Sequence, residues 1–347
     1  MRATELTAVR EIELREVEDP RIHFATDAVV KVTATCICGS DLHPYRGHAP
    51  TAFPKRAGHE FVGVVTDAGS EVSSVAVGDL VIAPFAISDG TCVHCRNGIT
   101  TSCVHGSFWG APDRQGVLAD GAQAEQVRVP LANGTLVRVD SAASDDLLPD
   151  LLALSDVMGT GHHAAVSAGV TEGSTVVVVG DGAVGLCAVL AAQRLGASRI
   201  IAMSRHASRQ EVAVKFGATD VVAERGADGI ARVLDLLDGV GADCTLECVG
   251  SQDSLDQAIA VTRPGGRLGC VGAPFFQVPV GQLFSRNIGL RGGVAPVRAY
   301  LPSLLADVLA GSIRPGLVFD LQLPLADVAQ GYREMDERSA IKVLLRP

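Results

Sequence analysis

Val176-Val177-Val178-Val179 runs directly into Gly180-Asp181-Gly182-Ala183-Val184-Gly185, and these ten residues restrict the fold more than any other stretch of the chain. The valine run is short, β-branched and lacks polar alternation. It therefore reads as a strand buried on both faces, as in a parallel sheet covered by helices. The glycines open an Ala/Leu-rich helical segment that continues to Gly196. G-x-G-x-x-G spacing alone is a weak signal. A strand before it and a helix after it supply the context in which the glycines serve the turn, the close approach of a pyrophosphate and tight helix–strand packing. The helix N-terminus adds N–H donors and positive potential for phosphate.

Further strands are expected at Arg199–Met203, Asp220–Val222, Asp243–Gly250, Gly266–Gly272 and Ile288–Gly292, with helices between them. Strands recurring every 20 to 30 residues or so with helical spacers predict a doubly wound parallel sheet, a Rossmann domain. Cys187, Cys244, Cys248 and Cys270 fall in these apolar elements and read as core thiols. In such a domain an acidic residue about 20 positions past the glycines binds the ribose 2′-hydroxyl of NAD. Ser204 stands there instead, followed by Arg205, His206 and Arg209. A carboxylate would repel a 2′-phosphate, whereas Ser with cations would hold one, so NADP(H) is favoured over NAD(H). The other reading is that Arg205 stacks on adenine and either cofactor is accepted.

The N-terminal part reads differently. Ala28–Thr33, Glu60–Ser70 and Val77–Ala83 are short Val-rich runs separated by Gly and Asp turns, the pattern of a small β-barrel. No long amphipathic helix precedes about residue 145. Leu151–Ala168 reads as one helix carrying Asp156, Thr160 and His162-His163. After residue 296 come a helix at Ala299–Ala310, a run at Phe319–Leu323, a helix near Leu325–Met335 and a run at Ala340–Leu345. These suit a return to the first domain. The expected division is 1–155, 156–295 and 296–347, with the Rossmann unit as an insert.

Two side-chain clusters carry metal chemistry. Cys36-Ile37-Cys38-Gly39-Ser40-Asp41-Leu42-His43 is followed by Gly58-His59-Glu60. Cys and His are preferred zinc ligands, and three protein ligands with one open position make a catalytic site. Taken singly, Cys38 reads equally well as a buried thiol and His59 as a loop histidine. The pair lacks a third ligand, and Asp156 can supply it. In the second cluster, Cys92-x2-Cys95-x7-Cys103 has metal-like spacing in a loop of little hydrophobic content. Asp89 extends the rhythm as a fourth, carboxylate ligand, with His94 and His105 as competitors. Four ligands would close the site and make it structural. Phe108, Trp109 and His48 are candidates to border a pocket, and Trp109 reads equally as barrel core.

Composition excludes several functions. The chain of 347 residues has a formal net charge of −10, which argues against nucleic-acid binding. The start Met1-Arg2-Ala3-Thr4-Glu5 lacks the apolar core of a signal peptide, and no apolar run is long enough for a membrane span. Nine cysteines without a leader read as thiols and metal ligands in a cytoplasmic protein, not as a disulfide framework.

Cys38-Gly-Ser40-Asp-Leu-His43, Gly58-His59-Glu60, the Cys92/Cys95/Cys103 loop, Asp156 ahead of the glycines and the terminal Ile341-Lys342-Val343-Leu344 together resemble the zinc-dependent alcohol dehydrogenases of the medium-chain dehydrogenase/reductase superfamily. The likeness runs in order along essentially the whole chain. It implies a GroES-like catalytic domain around a Rossmann domain. It also implies reversible hydride transfer between a primary or secondary alcohol and NAD(P)+, giving an aldehyde or ketone. By this resemblance Cys38, His59 and Asp156 are the catalytic zinc ligands, Asp156 matching the subset of the family with Asp in place of Cys. Glu60 is the carboxylate that approaches the metal. Ser40 accepts the substrate proton and His43 passes it on. Thr160 contacts the nicotinamide side. The cofactor set is Gly180, Gly182, Ala183, Val184, Gly185, Ser204, Arg205, Arg209, Val249, Val271 and Lys342. A second, structural zinc belongs at Asp89, Cys92, Cys95 and Cys103, where Asp89 departs from the family's first Cys. A homodimer or homotetramer is implied. A zinc-free quinone or enoyl reductase and a non-catalytic NADP-binding redox sensor are the alternatives.

Overall fold

The valine run forms an inner strand of a parallel sheet. The computed structural model describes residues 1–140, 144–273 and 277–347. They divide into two units, Met1–Asp156 with Pro296–Pro347, and Val157–Ala295.

In the second unit Thr175–Val179 pairs in parallel with Arg199–Met203 on one side and Ala242–Glu247 on the other. Asp220–Val222 extends the sheet past the first neighbour, and Thr262–Cys270 then Gly289–Gly292 extend it past the second. From edge to edge, the strands of this six-stranded sheet run third, second, first, fourth, fifth, sixth in chain order. That is the doubly wound order, with its switch point beside the strand that ends in the glycine turn. Val176 to Val179 have no exposed surface, as two-sided burial requires. The helix Val157–Ala168 lies against the helix Ala183–Arg194. Gly161 allows this approach, since a Cβ there would come within 2.5 Å of the Ala188 amide nitrogen.

In the first unit the longest strand, Ala28–Cys36, pairs antiparallel with Phe61–Ala68, with Gln126–Val129 and, at its end, with the C-terminal strand Val343–Arg346. The chain's last strand thus completes a sheet begun near its start. Val30, Val32, Phe61, Val65, Val81, Val127, Val129 and Leu136 fill the barrel. Trp109 joins them. Its ring meets Phe61 edge-on at 5.2 Å, and its indole N–H donates to the Pro84 carbonyl at 3.0 Å. It is therefore a core residue. A second cluster packs Ile37, Leu42 and Tyr45 against Val328, Tyr332 and Met335 of the helix Val328–Asp336. It seats the loop that carries Cys38 to His43.

The single helix expected over Leu151–Ala168 is two helices, Leu148–Ala153 and Val157–Ala168. Ser155 interrupts it: its hydroxyl donates back to the Leu152 carbonyl at 2.6 Å, and its own carbonyl accepts from the Phe85 N–H at 3.1 Å. A helix would need that carbonyl for an N–H four residues on. Asp156 consequently sits in a turn belonging to the first unit. Among the described residues no helix is long and apolar enough to cross a membrane.

Gly161→Val tests the helix contact. Overpacking a fitted contact costs about 1–3 kcal/mol, so the urea midpoint of the second unit should fall while zinc content stays unchanged. An unaltered midpoint would mean that the helices pack with room to spare.

Candidate active site

Strand register gathers the first cluster. Thr35 lies opposite Phe61, and Cys36 opposite Leu344. The residues just outside these pairs, Ile37-Cys38, His59-Glu60 and Ile341-Lys342, therefore converge at one end of the sheet. The Thr35 hydroxyl donates to the Glu60 carbonyl at 2.7 Å, and the Ile37 N–H to the Val343 carbonyl at 3.1 Å. Asp156 arrives on the turn held by Phe85. Cys38, His59, Glu60 and Asp156 each offer a ligand atom, and all four atoms lie within 4.8 Å of one another.

The electrostatics of the cluster favour a cation. Asp156 Oδ2 is 3.6 Å from Cys38 Sγ and 3.5 Å from His59 Nε2. Asp41, quoted in the motif but given no role there, turns His59: its Oδ1 is 3.4 Å from Nδ1, which leaves Nε2 facing the cluster. Asp41 is itself held by the Cys38 N–H at 2.9 Å and by the Gln123 amide at 3.3 Å, and Gln123 accepts from the Tyr332 hydroxyl at 3.3 Å. A metal-binding histidine needs such a carboxylate behind it. Burial works against the charged imidazole of His59, yet Asp41 and Cys38 outweigh it and raise its pKa well above the ordinary value. Burial raises the Cys38 thiol and the Glu60 carboxyl, and the neighbouring anions add to both shifts. Glu60 Oε2 is buried and has no hydrogen-bond partner among the described residues. A thiol, an imidazole and two carboxyls gathered this closely, one with a buried oxygen free to bind, fit a zinc ion.

Lys342, expected at the cofactor, is paired with Glu60. It is 1% exposed, and its ammonium donates to Glu60 Oε1 at 2.7 Å and to the Ile37 carbonyl at 3.3 Å. A buried ammonium needs an anion, and here Glu60 supplies it, so Lys342 is the counter-charge of Glu60. Ser40 is exposed, with Oγ 3.5 Å from His59 Nε2. His43 lies on the one-turn helix Leu42–Tyr45, where burial, Arg46 and His48 lower its pKa. Phe85 meets His59 edge-on at 6.4 Å, and the half-exposed Phe108 stacks on Phe85.

The second cluster also assembles. Asp89, Cys92, Cys95 and Cys103 place their ligand atoms within 4.8 Å of one another. Asp89 Oδ1 accepts from the N–H groups of Thr91 and Cys92 at 2.7 and 2.9 Å, while His105 Nδ1 is 2.6 Å from Oδ2. His105 is thus the carboxylate's partner, and His94 is exposed on the helix Val93–Arg96.

In the second unit the glycine turn has the form expected of it. Gly180 has φ +121°, and a Cβ on Gly185 would lie 2.0 Å from the Gly180 carbonyl oxygen. A Cβ on Gly182, by contrast, would meet nothing within 4 Å. Gly182 is the N-cap of the helix Ala183–Arg194, so Ala183 and Val184 present the first N–H groups to open space. This cradle fits a pyrophosphate. Val249 and Val271 follow the C-terminal ends of strands Ala242–Glu247 and Thr262–Cys270, and Thr160 lies on Val157–Ala168. Ser204, Arg205 and Arg209 gather on Asp181, which in the sequence reads only as a filler position between glycines.

Known proteins resemble this chain over its whole length. Residues 25–141 match the alcohol dehydrogenase GroES-like domain, and residues 183–308 match the zinc-binding dehydrogenase domain. Over all of its length the chain is 32% identical to zinc-type alcohol dehydrogenase B of Aspergillus flavus, covering 81% of that protein. It is 35% identical to an alcohol dehydrogenase of Cupriavidus necator, with 100% of this chain and 99% of that one covered. The alcohol dehydrogenase TADH from Thermus sp. ATN1 superposes with a TM-score of 0.90 at 35% identity, covering 100% of this chain and 99% of its own.

Asp41→Asn should weaken zinc binding roughly 10- to 100-fold in a chelator competition, as loss of an outer carboxylate does, while circular dichroism stays unchanged. Wild-type affinity in the variant would show that His59 needs no such support. In the loop, the Cys95 N–H brings the Cys92 thiol down to about 7. Iodoacetamide should therefore label Cys92 of the metal-stripped protein first, at a rate rising through that pH, and added zinc should suppress the labelling. Equal labelling of Cys92, Cys95 and Cys103 would contradict this.

Proposed function

The chain belongs to the zinc-dependent alcohol dehydrogenases of the medium-chain dehydrogenase/reductase superfamily, and from that premise we propose how its residues divide the reaction. Cys38, His59 and Asp156 hold the catalytic zinc. The observation that carries this reading is the convergence of their ligand atoms, with Glu60, within 4.8 Å. Three protein ligands leave one position for substrate. When bound, zinc supplies Lewis acidity toward the substrate oxygen, and the nicotinamide exchanges hydride with the substrate carbon. Glu60 stays on its anchor to Lys342 through Oε1, and its other oxygen is available to the metal. Ser40, beside His59, accepts the proton of the alcohol as its own hydroxyl proton moves on toward His43, which passes it toward solvent. Burial favours a neutral His43, which suits it to accept that proton.

The cofactor is NADP(H) in preference to NAD(H). Ser204 just past the end of its strand, with Arg205 next to it and Arg209 and Arg225 on the neighbouring Asp181, supports this choice. Asp89, Cys92, Cys95 and Cys103 hold a second, structural zinc. The protein is a homo-oligomer, dimer or tetramer. Support comes from Gly289–Gly292, an exposed edge strand near the exposed Val280, Phe284 and Val294. A zinc-free reductase would have no use for the donor set at Cys38.

The test is nicotinamide reduction by zinc-loaded protein over primary, secondary and aromatic alcohols, with NADP+ and NAD+ in parallel. Oxidation should be faster with NADP+. Ser40→Ala should lower kcat by roughly 10²- to 10⁴-fold, the usual worth of a positioned proton acceptor. Cys38→Ser should remove both activity and one bound zinc. Normal turnover by the Cys38→Ser protein would overturn the zinc assignment.

A further inference from the structure

The glycine turn carries one side chain that is neither small nor apolar. Asp181 lies between the first two glycines and is 8% exposed. Its carboxylate reaches the end of the neighbouring strand. Oδ2 accepts from the Ser204 hydroxyl at 3.1 Å and from the Arg205 N–H at 3.2 Å. Arg225 Nη2 is 3.7 Å from the same oxygen, and Arg209 Nη1 is 3.4 Å from Oδ1. Ser204 and Arg209 are themselves buried. All five residues belong to one unit.

This arrangement revises the electrostatics of the site. A dinucleotide fold places an acid at the end of the second strand to receive the ribose 2′-hydroxyl. Here the strand ends in Ser204, yet an acid stands 3.1 Å from its hydroxyl, brought by the turn. Burial opposes its charge, but Arg209 and Arg225 outweigh burial and keep the carboxyl below its ordinary pKa. A fixed anion beside the 2′ position accepts a hydrogen bond from a hydroxyl and repels a phosphate. It also shares the field of Arg209 and Arg225, so an incoming phosphate gains less from them than from cations without a counter-anion.

We propose that Asp181 is a specificity-determining residue of the cofactor site, holding the arginine cluster in place while restraining its preference for a 2′-phosphate. Arg205 and its neighbours draw NADP(H), and Asp181 limits the margin over NAD(H). The proposal rests on the reading that Ser204, Arg205 and Arg209 face the 2′ substituent.

The experiment is binding of 2′,5′-ADP and 5′-AMP, which differ only in the 2′-phosphate, by titration calorimetry on the full chain. NADPH and NADH fluorescence titrations provide a second measure. Asp181→Asn keeps the shape and an acceptor for Ser204 while removing the charge. It should raise the affinity ratio of 2′,5′-ADP to 5′-AMP by at least about tenfold, a modest share of one charge interaction at this range. Asp181→Glu, which keeps the charge, should leave the ratio near the wild-type value, and it decides the matter if the Asn variant proves unstable. A shift of both fragments by the same factor would show a merely structural role and overturn the proposal. Arg205→Ala separates the premise from the proposal. If Arg205→Ala lowers the ratio and Asp181→Asn leaves it unmoved, the 2′ reading stands and the role of Asp181 falls. If neither moves it, both fall.

Discussion

Antiparallel register at the end of Ala28–Cys36 is the constraint on which the candidate active site depends. Backbone pairing on both sides of this strand brings together residues from three distant parts of the chain. A shift of one residue in either pairing would turn Glu60 or Lys342 to the opposite face of the sheet. The ion pair between them is buried completely, and breaking such a pair by removing one partner costs about 3–5 kcal/mol. The same contact that fixes the ends of these strands therefore fixes Glu60 within the candidate metal cluster. Phe61, which pairs with Thr35, also packs in the barrel core against Trp109 and so ties that register to the core.

Around that cluster the protein uses hydrogen bonds for orientation. Tyr332, Gln123, Asp41 and His59 form a connected chain, and its last link decides which imidazole nitrogen faces Cys38 and Asp156. Asp156 reaches the cluster because Ser155 and Phe85 break a helix that sequence periodicity would have continued. The second unit uses a similar device, since a carboxylate in the glycine turn organises Ser204, Arg205 and Arg209. In both units an Asp that reads as incidental in the sequence sets the geometry of groups with evident chemistry.

The sequence by itself determined the fold class, the two clusters of ligand-type side chains and the glycine turn. These rest on local properties: β-branched runs, Cys and His spacing, and the backbone freedom that only glycine has. Tertiary structure decided the roles of charged residues. Lys342 sits in a terminal run that resembles a cofactor contact, and the pairing of the adjoining strand with Ala28–Cys36 also sets it against Glu60. Asp181 was invisible because its partners begin some twenty residues further on, at the end of another strand, and Trp109 took its place in the core through a contact with Phe61. Spacing along a chain reports what a segment can form. Which anion a buried cation meets depends on which segments lie side by side, and long-range pairing alone decides that.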